Sequence, residues 1–461
     1  MRAAPLAGGA PGPEALRPLL DTVLDALRTG AQDRGGPLPA GGPDAVAHRL
    51  REALAGPALP DTGTGPDEAL RTLVHALTAG AADPAHPLCA AHLHTPPLAL
   101  AAAADLAASV LNPSLDSWDQ APAASALEAL VSAALATEVF PAAAAADALV
   151  TTGGTESNQL ALLLARERHG SVQTVVGANA HHSFHRAAWL LGLPEPVVVP
   201  APNGTIDLVA LDEALTDLAG RHPLLVAATA GTTDAGLVDP LPEIAELCAA
   251  HGGTELHVDA AYGGPVLFSD THRPLLAGLD RARTVTVDLH KLGWQPAAAG
   301  LLAVRDAADL AVLGHTADYL NADDDTEAGL PDLLGRSLRT TRRPDVLKTA
   351  VTLRALGRAG LGTLVDACME RAEQLADLVE KAPGLELYAR PTLTTVLFRP
   401  DDADDTTVAD IRRTLITEGR AVLGRAAADG RLWLKATLLN PHATPDDLAE
   451  IITLVEGGID R

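Results

Sequence analysis

The sequence predicts an α/β protein in three parts. These are an N-terminal helical segment over residues 1–85, a large domain with a mostly parallel sheet over 86–344, and a small α+β domain over 345–461. Three observations carry this. From about residue 140 to 304, short apolar runs alternate with amphipathic helical stretches, a spacing that demands crossover connections and parallel strands. Polar residues gather where those runs end, the place at which such sheets bind ligands. Residues 1–85 instead show helical patches broken by Gly/Pro runs such as GGPLPAGGPD and GPALPDTGTGPD.

Taken in order, helical periodicity covers 16–27 and 70–77, in a segment too marginal to form a core alone. In the large domain, 148–151 reads as a strand, followed by a Gly turn and a helix over 159–168. A strand at 174–176 leads to a helix through 187–191, and 197–199 leads to a helix over 208–218. The run 224–228 reaches a turn at Gly231, then a helix over 244–250. Strands at 256–258 and 285–287 end at Asp259 and Asp288, and 301–304 is the last strand. Residues 319–336, acidic and turn-rich, read as a surface loop. After Pro344 a helix over 347–356 opens a region of mixed helices and short strands.

Composition narrows the function. The chain has 461 residues, with 34 Lys and Arg against 59 Asp and Glu, a formal charge of −25. That field repels nucleic-acid phosphates and anionic membranes. Cys89, Cys248 and Cys368 are odd in number and far apart, so neither a disulfide framework nor a CxxC zinc pattern is expected, and a reducing cytoplasm is. The N-terminus has no continuous apolar stretch of signal-peptide length. Asp105, Glu138 and Asp147 interrupt the most apolar stretches, which excludes a membrane span there.

Five stretches carry chemistry. Val287-Asp288-Leu289-His290-Lys291 puts a lysine just past a strand end in an apolar setting that includes Trp294. Burial lowers a lysine's pKa and makes the amine nucleophilic, although a snorkelling surface lysine fits this window equally. In His257-Val258-Asp259-Ala260-Ala261-Tyr262-Gly263-Gly264 an acid closes a strand before small residues. Small residues let a flat ring lie close, and an Asp aimed at a pyridine nitrogen keeps it protonated; an ordinary N-cap explains the Asp as well. Thr151-Thr152-Gly153-Gly154-Thr155-Glu156-Ser157-Asn158 opens a helix whose free N–H groups suit a phosphate. It is neither a Walker loop nor GxGxxG, which argues against an NAD-dependent enzyme. His181-His182-Ser183-Phe184-His185 offers a ring to stack on a flat cofactor; no Cys or carboxylate stands at ligand spacing, so no metal is expected. Ala228-Thr229-Ala230-Gly231-Thr232-Thr233-Asp234-Ala235-Gly236 is a strand end rich in hydroxyls.

In this order the five resemble the fold-type I (aspartate aminotransferase-like) pyridoxal 5′-phosphate (PLP) enzymes, specifically the group II amino-acid decarboxylases, over about residues 88–455. The resemblance implies PLP as cofactor, with Lys291 its covalent anchor and Asp259 the partner of its ring nitrogen. Ala261 would lie under the ring and His181, or failing it His182, would stack on it. Gly154 and Thr155 match phosphate contacts, with Asp288 and His290 nearby, and Thr232 matches the loop near the cofactor's 3-hydroxyl and the substrate carboxylate.

His92-Leu93-His94-Thr95-Pro96-Pro97, Asp116-Ser117-Trp118-Asp119-Gln120, Asp318-Tyr319-Leu320-Asn321, the run 337–343 and Leu434-Lys435-Ala436-Thr437-Leu438-Leu439-Asn440-Pro441 are similar to the diamine-forming branch. That branch decarboxylates lysine, ornithine or 2,4-diaminobutyrate, often in siderophore or diamine pathways. Asp116, Trp118 and Asp119 are then candidate substrate contacts, the acids meeting a distal ammonium. His181, Tyr319 or Lys291 would return a proton to Cα. The chain departs from the pattern at Leu289 and Leu292-Gly293, where aromatics are common, and at Leu333, where aromatic-acid enzymes carry a tyrosine. The resemblance also implies a homodimer with a shared active site, wrapped by residues 1–85. Other PLP reactions on this fold, oxidative decarboxylation–deamination or transamination, and a non-catalytic assembly protein are the competing readings.

Overall fold

The computed structural model describes residues 4–314 and 323–459. In chain order the elements are α1 (Gly12–Arg34), α2 (Gly42–Leu54), α3 (Pro66–Ala79), α4 (Ala99–Leu111), α5 (Pro122–Val139), β1 (Asp147–Thr151), α6 (Gly154–His169), β2 (Gln173–Gly177), α7 (Ser183–Leu191), β3 (Val197–Val199), α8 (Leu208–Leu218), β4 (Leu224–Thr229), α9 (Leu241–Ala250), β5 (Thr254–Ala260), β6 (Thr284–Asp288) and β7 (Gly300–Val304). They continue with α10 (Asp323–Glu327), α11 (Val346–Lys381), β8 (Leu385–Leu387), β9 (Thr395–Pro400), α12 (Asp405–Glu418), β10 (Gly424–Ala428), β11 (Arg431–Thr437) and α13 (Pro445–Ile459).

Local chemistry sets these limits. Proline stands in the first turn of α1, α2, α3 and α5, where its missing N–H costs no helical bond. Asp207 caps α8 by accepting from the Val209 and Ala210 amides. The helical run of α11 kinks at Gly357 (φ 64°), one residue after the helix expected over 347–356. Strands β2, β4, β6 and β7 are buried along their whole length. That is why they read as continuous apolar runs without alternation.

The described residues divide into two compact units. One is drawn from Leu93–Ala372 and Arg390–Thr395, the other from the remainder. The first holds a seven-stranded sheet in the order β1-β7-β6-β5-β4-β2-β3. All strands run parallel except β7, which is antiparallel to β1 and β6. Its register aligns Thr151 with Gly300, Gly300 with Asp288, and Asp259 with both Thr229 and Thr286. Five polar residues from four strands therefore gather toward one edge of the sheet. Leu160 and Leu164 of α6 pack on Leu149 and Leu302, and Leu162 packs with Phe184, Val176 and Leu225. In the second unit α1 packs along α3, α2 contacts α3 and α12, and α12 lies on β11 of a sheet ordered β10-β11-β9-β8. Among the described residues, no helix is long and apolar enough to cross a membrane.

The expected surface loop over 319–336 is only partly one. Residues 319–322 lie outside the described residues and 326–331 are exposed, but Leu333 is buried. The segment beyond it is pinned by arginines: Arg336 to Asp147, Arg339 to Glu156 and Arg342 to Glu128. The last pair is buried on both sides, and one guanidinium nitrogen reaches both Glu128 oxygens at 3.0 and 2.8 Å. Removing one partner strands the other charge in the interior. Glu128→Ala is therefore expected to lower unfolding stability by about 3–5 kcal/mol, read from the midpoint of urea unfolding.

Candidate active site

The C-terminal edge of the large sheet opens on a cavity of about 280 Å³. Its floor is made by strand ends, and one wall by the turn into α6. Asp259 closes β5 and is buried, as is Asp288 at the end of β6. Lys291 follows Asp288 by one tight turn, and its Nζ lies 3.0 Å from Asp288 Oδ2. The His290 Nδ1 accepts from the Ala299 amide, which leaves its Nε2 protonated and facing Asp288 Oδ2 at 3.6 Å.

The turn before α6 is glycine for steric reasons. Gly153 has φ 150°, and a Cβ there would come within 2.9 Å of His290 Cε1. A Cβ on Gly154 would meet the Ala261 methyl at 3.0 Å and Asp288 Oδ2 at 3.2 Å. The first-turn amides of α6, which have no partner within the helix, border the cavity. His181 lines the opposite side, its Nδ1 accepting from the Ser183 amide. Burial is the main influence on His181 and lowers its pKa below the usual histidine value, against the pull of Asp259. The ring is thus neutral near pH 7.

Behind Asp259 lies a buried polar network. Its Oδ1 accepts from the Ala261 amide at 3.1 Å, and its Oδ2 from Asn158 Nδ2 at 2.7 Å. Asn158 Oδ1 in turn accepts from His257 Nε2 and Thr286 Oγ1. Complete burial pushes the His257 pKa down to about 4. The unfolded chain therefore binds a proton near pH 6.5 that the folded chain refuses until about pH 4. The contribution of His257 to stability is complete above pH 6.5 and is lost as pH falls toward 4, roughly 3 kcal/mol in all. His257→Gln is expected to flatten the fall in denaturation midpoint across that window.

The cavity brings together Lys291, His181, Asp259, Gly154, Thr155, Ala261, Asp288 and His290. It takes His181 and not His182, which is exposed against the first ring. Thr232 is not in its lining. The Thr232 hydroxyl accepts from the Leu237 amide and holds the turn, while Thr229, Gly231 and Thr233 face the cavity. Asp116, Trp118 and Asp119 are not in the lining of this chain's cavity either. Asp116 accepts from Ser114 and Gln120, Asp119 from Ser117, and Trp118 borders a separate cavity of about 600 Å³ with Leu333. Tyr319 lies outside the described residues. Leu292 and Gly293 are where they are for packing: Leu292 is fully buried, and a Cβ on Gly293 would fall 2.6 Å from the Leu289 carbonyl oxygen.

Asn158, Thr229, Thr233 and Tyr262 were not singled out by the sequence. The Tyr262 hydroxyl bonds Thr394 and Thr395 in the 390–395 segment of the same unit. Only its place in the same motif as Asp259 could have flagged it.

The residues fit pyridoxal phosphate. A helix start without side chains at Gly153 and Gly154 suits a phosphate. A neutral imidazole and the Ala261 methyl suit the faces of a ring, and the same lining offers the Lys291 amine for an aldehyde and the Asp259 carboxylate for a ring nitrogen. Asp288 Oδ1 is a buried acceptor with no hydrogen-bond partner among the described residues.

Known proteins agree. The model of the pyridoxal-dependent decarboxylase conserved domain matches residues 53–401. An L-2,4-diaminobutyrate decarboxylase of Rhizobium meliloti (strain 1021) is 42% identical over 418 residues, covering 86% of this chain and 83% of the relative. An Acinetobacter baumannii protein of the same name is 31% identical, covering 87% and 85%. In structure, the glutamate decarboxylase domain of a Vibrio parahaemolyticus diaminobutyrate-pyruvate transaminase and L-2,4-diaminobutyrate decarboxylase matches with TM-score 0.86 and 29% identity, over 99% of this chain and 98% of that one.

Proposed function

Because the chain belongs to the pyridoxal-dependent decarboxylase family, we propose that it removes the α-carboxylate of a basic L-amino acid, 2,4-diaminobutyrate before ornithine or lysine, releasing carbon dioxide and a diamine. The observation that carries this is the meeting of Lys291, Asp259 and the Gly153–Gly154 turn around one cavity. The substrate follows the names of the two relatives.

When bound, PLP supplies a conjugated ring that takes up the electron pair left as the carboxylate departs. The protein's part is positional and electrostatic. Lys291 Nζ would hold the cofactor's aldehyde carbon. Asp259 would pair with the ring nitrogen and keep its proton in place. The Gly154 and Thr155 amides would hold the phosphate, and His181 and Ala261 would keep the ring flat. His181 Nε2, Lys291 Nζ and Tyr319 are the groups proposed to return a proton to Cα.

A distal ammonium needs a carboxylate. Glu156 borders the cavity, but its oxygens are engaged by Thr152 and Arg339. In our reading the acid comes from a second copy, in the segment of Asp116 and Asp119, across a homodimer that shares its active sites. The apolar surface of the N-terminal helices supports this, since Leu24, Leu27, Leu73 and Leu77 are exposed on α1 and α3. Three free cysteines accord with a cytoplasmic setting.

Carbon dioxide release by the PLP-loaded protein tests the substrate. The expected order of kcat/KM places 2,4-diaminobutyrate above ornithine and lysine, with aspartate, glutamate and aromatic amino acids at background. A preference for an acidic or aromatic amino acid refutes it.

A further inference from the structure

We propose that Asn158 is a positioning residue for the cofactor: its side-chain amide, oriented by His257 and Thr286, fixes the Asp259 carboxylate so that its remaining lone pairs face the ring nitrogen. This rests on the reading of Asp259 given above.

Asn158 is completely buried, and a side-chain amide has two donor hydrogens and two acceptor lone pairs. All four are used. Nδ2 donates to Asp259 Oδ2 at 2.7 Å and to Ser183 Oγ at 2.9 Å. Oδ1 accepts from Thr286 Oγ1 at 2.8 Å and from His257 Nε2 at 3.0 Å. Reversing the amide would set its oxygen against the carboxylate and its hydrogens against two donors, so one orientation is strongly preferred. With Asn158 Nδ2 turned to the Asp259 carboxylate and Oδ1 to His257, the His257 proton sits on Nε2, and its Nδ1 accepts from Thr284 Oγ1 at 2.8 Å. With Ala261 N–H on Oδ1 and Asn158 on Oδ2, the Asp259 carboxylate cannot turn about its own axis without losing a donor.

The placement on α6 adds a second function. Gly154 and Asn158 are four residues apart and share a face of the helix. One rigid element therefore carries both the phosphate turn and the clamp on Asp259. It sets the distance between the phosphate and ring-nitrogen sites.

The test compares PLP with its 1-deaza analogue, which has carbon in place of the ring nitrogen. Dissociation constants are measured by absorbance on full-length protein stripped of cofactor. The wild-type protein is expected to bind PLP at least about tenfold tighter than the analogue. Asn158→Leu should weaken PLP by about tenfold or more and change the analogue less than about threefold, so that the preference collapses. His257→Leu should shift the ratio the same way, and His257→Gln, which keeps a donor toward Asn158, should restore it. If Asn158→Leu does not fold, as judged by circular dichroism, the His257 pair makes the same comparison.

A wild-type preference that survives in these variants, or equal weakening of both ligands, overturns the positioning role and leaves Asp259 in place. No preference in the wild type overturns the Asp259 reading itself, and this inference with it.

Discussion

Lys291→Ala is expected to lower kcat by at least about four orders of magnitude and to remove the visible absorption of the lysine-bound cofactor. Lys291 is the one lysine among the residues lining the cavity. Its Nζ stands beside the buried carboxylate of Asp288 at 3.0 Å, so its position is fixed before any ligand arrives. Lys291→Arg separates charge from chemistry. The guanidinium keeps a cation near Asp288 but offers no amine for the aldehyde. It should be as inactive as the alanine variant while still retaining PLP through the phosphate turn and Asp259. Both variants should elute with cofactor that denaturant releases and no covalent adduct at residue 291 after borohydride reduction. Substantial turnover in either would remove Lys291 from the centre of the site.

Asp259→Asn is expected to lower kcat by about 10²–10³-fold and to weaken PLP binding. The substitution preserves volume and leaves the Ala261 amide and the Asn158 side chain beside residue 259. What it removes is the negative charge proposed to keep the ring nitrogen protonated. Asp259→Glu keeps the charge but pushes it past the two donors that fix the carboxylate, and should fall between the asparagine variant and the wild type. Parallel losses of kcat in the two variants would mean that shape, not charge, matters at this position.

The two effects come from residues that the sequence marks well. Asp259 and Lys291 each stand at a strand end, and strand position is legible because the central strands are buried on both faces and read as unbroken apolar runs. The antiparallel direction of β7 was not legible, since Gly300–Val304 has the same apolar pattern in either orientation. Helix α2 escaped notice because it begins inside the run GGPLPAGGPD and ends just before GPALPDTGTGPD.

Polar residues inside a helix were harder still. In the sequence Asn158 is only the last residue of a helix-opening stretch, and only the fold brings it to Asp259, 101 residues away. The threonine loop shows the limit of motif matching. Thr232 and Thr233 are adjacent and chemically equal, and the positive φ of Gly231 (104°) belongs to the turn that gives one hydroxyl to the Leu237 amide and leaves the other residue facing the cavity. Within one chain Asp116 and Asp119 are bonded by their neighbours Ser114, Ser117 and Gln120, so the substrate role proposed for their segment depends on a second copy.

The cavity is proposed to break the bond to the α-carboxylate and nothing further. The most direct measurement incubates the PLP-loaded protein with L-2,4-diaminobutyrate and follows carbon dioxide, 1,3-diaminopropane and dissolved oxygen together. Equal amounts of carbon dioxide and diamine are expected, with no oxygen consumed. An aldehyde and ammonia formed with oxygen uptake, or a keto acid formed without carbon dioxide, would contradict it.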